Sequence, residues 1–138
     1  MTRSQIYIKQ AEYHRALGRL QSALEKELDD DDIYLDATIQ RFEFCFELAW
    51  KLMKLILDYE GVEVSSPRAS IREGWKKGMI TDSESWLDMQ EKRKLSMRIY
   101  NESTALEVYR LIEDKYVGLL VAWDEEIQRR LAEELPLG

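Results

Sequence analysis

Apolar residues recur along this chain at steps of three and four, the spacing that lines one face of an α-helix. Ile6, Tyr13, Leu17, Leu20, Leu24 and Leu28 form the first stripe and predict a helix over 4–27. The acidic cluster Asp29 to Asp32 interrupts it and offers N-cap oxygens and negative charge to the helix that follows. Over 33–60 two stripes run side by side: Leu35, Ile39, Phe42, Phe46, Ala49, Met53 and Ile56, and beside them Cys45, Leu48, Leu52, Leu55 and Tyr59. Glu43, Glu47, Lys51, Lys54 and Asp58 keep only a narrow polar face, with Glu47 and Lys51 in the favourable i to i+4 order. Such a helix is buried on more than one side, within its own bundle or against a second subunit. Gly61 supplies a left-handed stop.

Ser66 followed by Pro67 reads as an N-cap with proline at the first helical position, opening a short third helix that ends near Gly78. Thr81 or Asp82 caps a fourth, on which Trp86, Met89, Met97 and Tyr100 share a face with Arg93 embedded among them. Asn101 to Ser103 form a polar stop. The last helix spans 104–135, with Leu106, Tyr109, Ile112, Tyr116, Leu120, Trp123, Ile127 and Leu131 on one face and Pro136 as its end. No strand-period alternation or repeat competes with this pattern. The expected fold is all-α: a single domain over 1–138, built as an antiparallel up-and-down bundle of four long helices plus one short helix.

Composition agrees with that expectation. At 138 residues and 45% apolar content the chain is long enough for one continuous core, and two prolines and six glycines punctuate it little. A single cysteine, Cys45, forms neither an internal disulfide nor a zinc pair. MTRSQIYIKQ lacks the apolar run of a signal peptide, and no stretch reaches the length of a membrane span, so the expectation is a cytoplasmic protein with no membrane association. The net charge of −7 argues against broad binding to nucleic acid. Its distribution is uneven. Residues 68–98 hold eight basic side chains (Arg68, Arg72, Lys76, Lys77, Lys92, Arg93, Lys94, Arg98) against five acids, a net +3 that leaves −10 elsewhere. Solvated helix faces account for such a run, and a local anion site is the sharper alternative.

Catalytic parts are scarce. The only histidine, His14, has no metal-ligand spacing around it, and Cys45 lies within an apolar stripe. No glycine-rich phosphate loop is present, so neither a metal nor a cofactor is expected. Trp50, Trp75, Trp86, Trp123 and Met89 have the spacing of core or interface residues, with nucleobase stacking as the alternative. Arg93 stands apart, because an arginine inside an apolar stripe needs an anionic or hydrogen-bonding partner.

Three blocks in order carry a family resemblance. The stretch Arg41-Phe42-Glu43-Phe44-Cys45-Phe46-Glu47-Leu48-Ala49-Trp50-Lys51 resembles the second-helix signature of nucleotidyltransferase substrate-binding proteins, a branch of the HEPN superfamily. Ser66-Pro67-Arg68 leading into Ile71-Arg72-Glu73 is similar to that family's short third helix, and Trp86-Leu87-Asp88-Met89 before Arg93 to its fourth. The similarity covers about residues 5 to 120. It implies a homodimer that associates with a separately encoded minimal nucleotidyltransferase, in a pairing of toxin–antitoxin type, and contributes part of a substrate or nucleotide site.

Many HEPN proteins carry an arginine, four intervening residues, a histidine and, two residues later, a tyrosine. Arg93 and Tyr100 match the first and last, but Arg98 occupies the histidine position and Lys94 follows the arginine in place of the usual polar residue. Arginine stays protonated at physiological pH and is no general base. The resemblance therefore implies an accessory binding subunit. A degenerate ribonuclease-like toxin and a structural helical dimer without ligand are the alternatives. Arg93 and Arg98, five positions apart on a helix, differ by about 140° and converge as a phosphate clamp only at a distorted helix end or a dimer cleft. Further residues expected near a nucleotide or other phosphate ligand are Tyr100, Arg72, Trp50, Lys51 and Trp86. By analogy with pairs in which this tyrosine is adenylylated, Tyr100 is also a modification candidate, its alternative being a packed bundle tyrosine.

Overall fold

A computed structural model describes residues 3–26, 33–98 and 101–133, with only the backbone described for Arg98 and Glu102. Helices α1 (Arg3–Leu24), α2 (Ile33–Tyr59), α3 (Pro67–Lys76) and α4 (Ser83–Arg98) precede a last rod made of α5 (Glu102–Leu111), a π-helical turn (Ile112–Tyr116) and α6 (Val117–Glu133). No strand occurs among the described residues. The expected architecture is observed, with helix ends within a few residues of those read from the pattern. Leu28, the Asp29–Asp32 junction, Tyr100 and Pro136 lie outside the described residues.

Local signals set the ends. Ser66 accepts a hydrogen bond from the Ala69 amide at 3.1 Å, and Pro67 takes the first helical position of α3, where its missing N–H costs nothing. Asp82, not Thr81, caps α4, accepting from the Ser85 amide at 3.0 Å and from its hydroxyl at 2.6 Å. Asn101 accepts from the Thr104 amide at 2.9 Å. Gly61 has φ +88°, the left-handed conformation that ends α2 and that a side chain disfavours.

α2 is the central helix. It packs on α1 most extensively, then on α3, α5, α4 and α6, which explains its two apolar stripes. Ile39, Phe42, Phe46, Ala49, Met53 and Ile56 are buried from one stripe, and Cys45, Leu48 and Leu52 from the other. Polar groups on two of the large core residues find backbone partners, as burial requires: Tyr13 donates to the Leu120 carbonyl and the Trp123 indole to that of Ala49 at 3.2 Å. Arg130 ties α6 to the end of α3, donating to Lys77 O at 2.9 Å and to Glu126 at 2.6 Å.

The π-helical turn departs from the expectation of one unbroken helix, since a single stripe runs through it. There Tyr116, stacked on Phe42 at 5.7 Å between centroids, donates its hydroxyl to Asp88 of α4. Ile112 and Tyr116, at the two ends of the turn, are both buried.

Candidate functional site

The site is assembled where α4 crosses the polar edge of α2. Arg93 is half-buried on α4, and its guanidinium lies 5.8 Å from the centre of the Phe46 ring, which also packs against Trp86 at 6.2 Å. A positive charge so placed needs an anion. Glu47 provides it, with Nη2 of Arg93 2.6 Å from its carboxylate. The same carboxylate accepts from the Trp50 indole at 3.1 Å and pairs with Lys51 at 3.1 Å. Partial burial pushes the Glu47 carboxyl up, but the bonds from Trp50 and Lys51 and the charge of Arg93 outweigh it and hold it below the ordinary carboxylate range. Nε of Arg93 is buried with no hydrogen-bond partner among the described residues. One turn away, Ser96 donates to Glu43 at 2.6 Å.

The expected site residues divide accordingly. Arg93, Trp50 and Lys51 come together through Glu47, which the helical spacing pairs with Lys51 alone. Trp50 is 9% exposed and holds Glu47 with its N–H, so it braces the cluster and offers no free face for stacking. Trp86 is 1% exposed; it is a core residue between α2 and α4 and is removed from the ligand-facing set. Met97, expected to share the buried stripe, is 59% exposed, because α4 ends against the polar edge of α2 and not over the core. Arg72 is exposed on α3 and makes none of the bonds that hold the Glu47 cluster. Arg98 is described by its backbone alone and Tyr100 lies outside the described residues, so the paired-arginine clamp stands as an expectation. A partner for Arg93 was demanded by its place in an apolar stripe. That it is Glu47 follows from the narrow polar face of α2, the edge that α4 crosses.

His14 sits elsewhere, on α1. Its exposed ring bonds through Nδ1 to Asp124 of α6 at 2.8 Å, and Gln128 donates to the same carboxylate at 2.9 Å. Cys45 is fully buried, as expected, and burial followed by the nearby Asp124 charge pushes its thiol pKa far up. Among the described residues no group of three or more metal-ligating side chains is found and no helix is long and apolar enough to cross a membrane.

A helical bundle with a carboxylate-held arginine between its second and fourth helices is the frame against which known proteins compare. The family described as nucleotidyltransferase substrate binding protein like matches residues 9–129, and the chain belongs to that family. A probable ribonuclease HepT of Haemophilus influenzae is 30% identical over 88 residues; the match covers 60% of this chain, and the chain spans about 60% of that relative's length. A crystal structure of a Thermus thermophilus protein superposes with a TM-score of 0.73 at 34% identity, covering 86% of this chain and 98% of that one. A tri-AMPylated HEPN toxin of Shewanella oneidensis, solved in complex with an MNT antitoxin, superposes with a TM-score of 0.75 over 90% of this chain and 96% of its own. At 19% identity that likeness establishes a shared fold alone.

Proposed function

We propose that this protein is a non-catalytic accessory subunit that binds a nucleotide or another phosphate-bearing substrate on behalf of a separately encoded minimal nucleotidyltransferase. The observation that carries the reading is the Arg93–Glu47 pair. It is an arginine held half-buried on an aromatic ring, with one edge neutralised by a carboxylate and Nε unsatisfied. A phosphate arriving at this edge competes with Glu47 for the guanidinium, and Lys51 and Trp50 remain to hold the displaced carboxylate. Arg98, about one and a half helical turns further on, is the second arm of the clamp. An arginine at that position supplies charge and no proton-transfer base, which favours binding over RNA cleavage. The ribonuclease-like reading draws on the name of the Haemophilus relative, and Arg98 stands against it.

The subunit works as a homodimer in this proposal. Phe44 and Met97 are 61% and 59% exposed, and each lines one of two grooves, of about 370 and 390 Å³, that share Gln40. A second copy related by a twofold axis covers the same two grooves with its own Phe44 and Met97 and brings two Arg93 sites towards one cleft. Tyr100, just past the end of α4, is the proposed acceptor if the partner enzyme modifies this chain.

Light scattering after size exclusion tests the reading, first on the chain alone and then mixed with a minimal nucleotidyltransferase encoded beside it. A dimer that shifts to a larger complex supports it, and ATP binding lost in Arg93→Ala with the complex intact completes the case. A stable monomer, or RNA cleavage that disappears with Arg93→Ala, refutes it. Intact mass after incubation with the transferase and ATP decides the fate of Tyr100: an adduct lost in Tyr100→Phe assigns it, and no adduct removes it.

A further inference from the structure

The two grooves that share Gln40 carry opposite charge. At about 100° per residue along α2, Phe44 and Arg41 lie about 40° and 100° to one side of Gln40, and Asp36 and Glu43 about 40° and 60° to the other. Arg19 of α1 extends the first flank and Met97 of α4 the second. The charged residues lining the first groove are therefore both arginines, and those lining the second both carboxylates. Arg19 and Arg41 have no carboxylate within ion-pair distance among the described residues, and Arg41 is held in place by donating to the Arg19 carbonyl at 2.8 Å. Glu43 has no cation at that distance among the described residues and accepts only from the Ser96 hydroxyl, at 2.6 Å.

A twofold axis lies in the plane of the contact it generates, so its direction decides which flank meets which. An axis crossing α2 at Gln40 lays each groove on its own copy: arginines face arginines, and Asp36 comes opposite Glu43. An axis running along α2 lays each groove on the other, so the arginines of one copy face the carboxylates of its partner, twice. Arg41 and Glu43 differ in height by only about 3 Å, within reach of a guanidinium, and Phe44 seats in the groove lined by the partner's Met97. Opposite charges fix the register of an interface and like charges forbid it. Glu47 falls about 20° from the Gln40 line, so the axis along α2 sets both Arg93–Glu47 pairs at one height, whereas the crossing axis parts them by about 21 Å along the helices.

We propose that two copies pair about an axis running along α2, with Arg41 of each copy bonded to Glu43 of the other, and that the partner's Arg41 supplies a further cation beside the Arg93 site. Glu43 stands one turn before Glu47 on α2, at the edge where a phosphate meets Arg93, so the site is incomplete in a single chain. The inference rests on the homodimer reading and gives it a direction, a register and a residue contributed across the interface.

A charge swap read by sedimentation equilibrium and native mass spectrometry tests it on the full chain. Arg41→Glu sets a carboxylate against Glu43 at both contacts of the dimer, and Glu43→Arg sets a guanidinium against Arg41. Each alone raises the dimer dissociation constant by about a hundredfold. Mixed together, the two variants form a heterodimer in which both contacts are again of opposite sign, with an affinity near that of the parent. That recovery separates lost pairing from lost folding. ATP, used as the phosphate probe, binds the dissociated Arg41→Glu chain several-fold more weakly than the parent dimer, although Arg93 and Glu47 are untouched; equal affinity overturns the partner's share in the site. A dimeric parent that neither reversal disturbs, a loss in both that mixing does not recover, or a dimer tightened by Arg41→Glu, the outcome of the crossing axis, overturns the inference and leaves the homodimer reading standing. A monomeric parent overturns both.

Discussion

Arg93 on α4 and Glu47 on α2 meet at 2.6 Å, and this one pair joins the two helices at the edge of the core while occupying the charge that a phosphate ligand would need. The side chains are 18% and 27% exposed, so the pair is neither a free surface bridge nor a fully buried one. Replacing Arg93 with Ala is expected to lower stability by about 1–2 kcal/mol, less than for a fully buried pair because water still screens it and Lys51 stays with Glu47. Urea denaturation measures that. Glu47→Gln separates the two roles: stability falls by a similar amount, while affinity for ATP or inorganic phosphate rises several-fold as the guanidinium loses its internal competitor. Unchanged or weaker anion binding in Glu47→Gln would show that Arg93 serves the fold alone.

Acid should act on the packing of α4 at two points, against α2 and against the π-helical turn. Asp88 is held below the ordinary carboxylate range first by the hydrogen bond from Tyr116, against a smaller effect of burial, and then by Lys92 and Lys115; Glu47 is depressed as well. A depressed folded-state pKa means that the unfolded chain takes up the proton first. The stabilisation is therefore fully present above the unfolded values, about 3.9 and 4.3, and is lost as pH falls through the lower folded values. In thermal melts, Asp88→Asn should sit below the parent by a constant amount from pH 7 to 5, and the gap should close below about pH 4. A gap that persists undiminished at pH 3 would mean that the carboxylate charge of Asp88 contributes nothing.

Much of this was legible in the residues. Two adjacent stripes on α2 announced a central helix, and Ser66-Pro67 and Gly61 marked ends that hydrogen bonds and φ bear out. What periodicity does not encode is which helix lies across which. Trp86 and Trp75 are both aromatic positions at helical spacing, yet one is core and the other half-exposed, because α4 is covered by α2 at Trp86 while the outer side of α3 is covered by nothing described. The π-helical turn was invisible for a related reason: it carries the bond from Tyr116 to Asp88, a contact between residues 28 apart that no local pattern contains. Arg93 shows the middle case. Its need for a partner was local information; the identity of Glu47 was not.

The groove at Phe44 gives the assembly a direct test. Phe44 is 61% exposed and lines the groove with Ala16, Arg19, Ala37, Gln40 and Arg41, so it contributes little to the monomer's own core. Phe44→Glu is expected to leave the helical spectrum unchanged and to convert a dimer to a monomer in light scattering, since a carboxylate in a twofold interface meets its own copy or loses its water. A variant that remains dimeric would move the interface to another face.

Cys45 offers an internal clock for unfolding. The thiol is fully buried on α2, and burial, reinforced by the negative charge of Asp124, pushes its pKa far above that of a free cysteine. Reaction with a thiol reagent needs the thiolate and access to it, and the folded state supplies neither. At pH 8 the native protein should therefore label only as fast as it opens, with a rate independent of reagent concentration once reagent outpaces reclosing. Denaturant should bring the rate to that of a free cysteine. Arg93→Ala, which weakens the α2–α4 seam, should speed labelling whenever opening exposes that part of α2, and by the full stability difference if opening is global and reagent is dilute enough for reclosing to outpace reaction. Prompt stoichiometric labelling of the native parent would contradict the burial of Cys45 and with it the central position of α2.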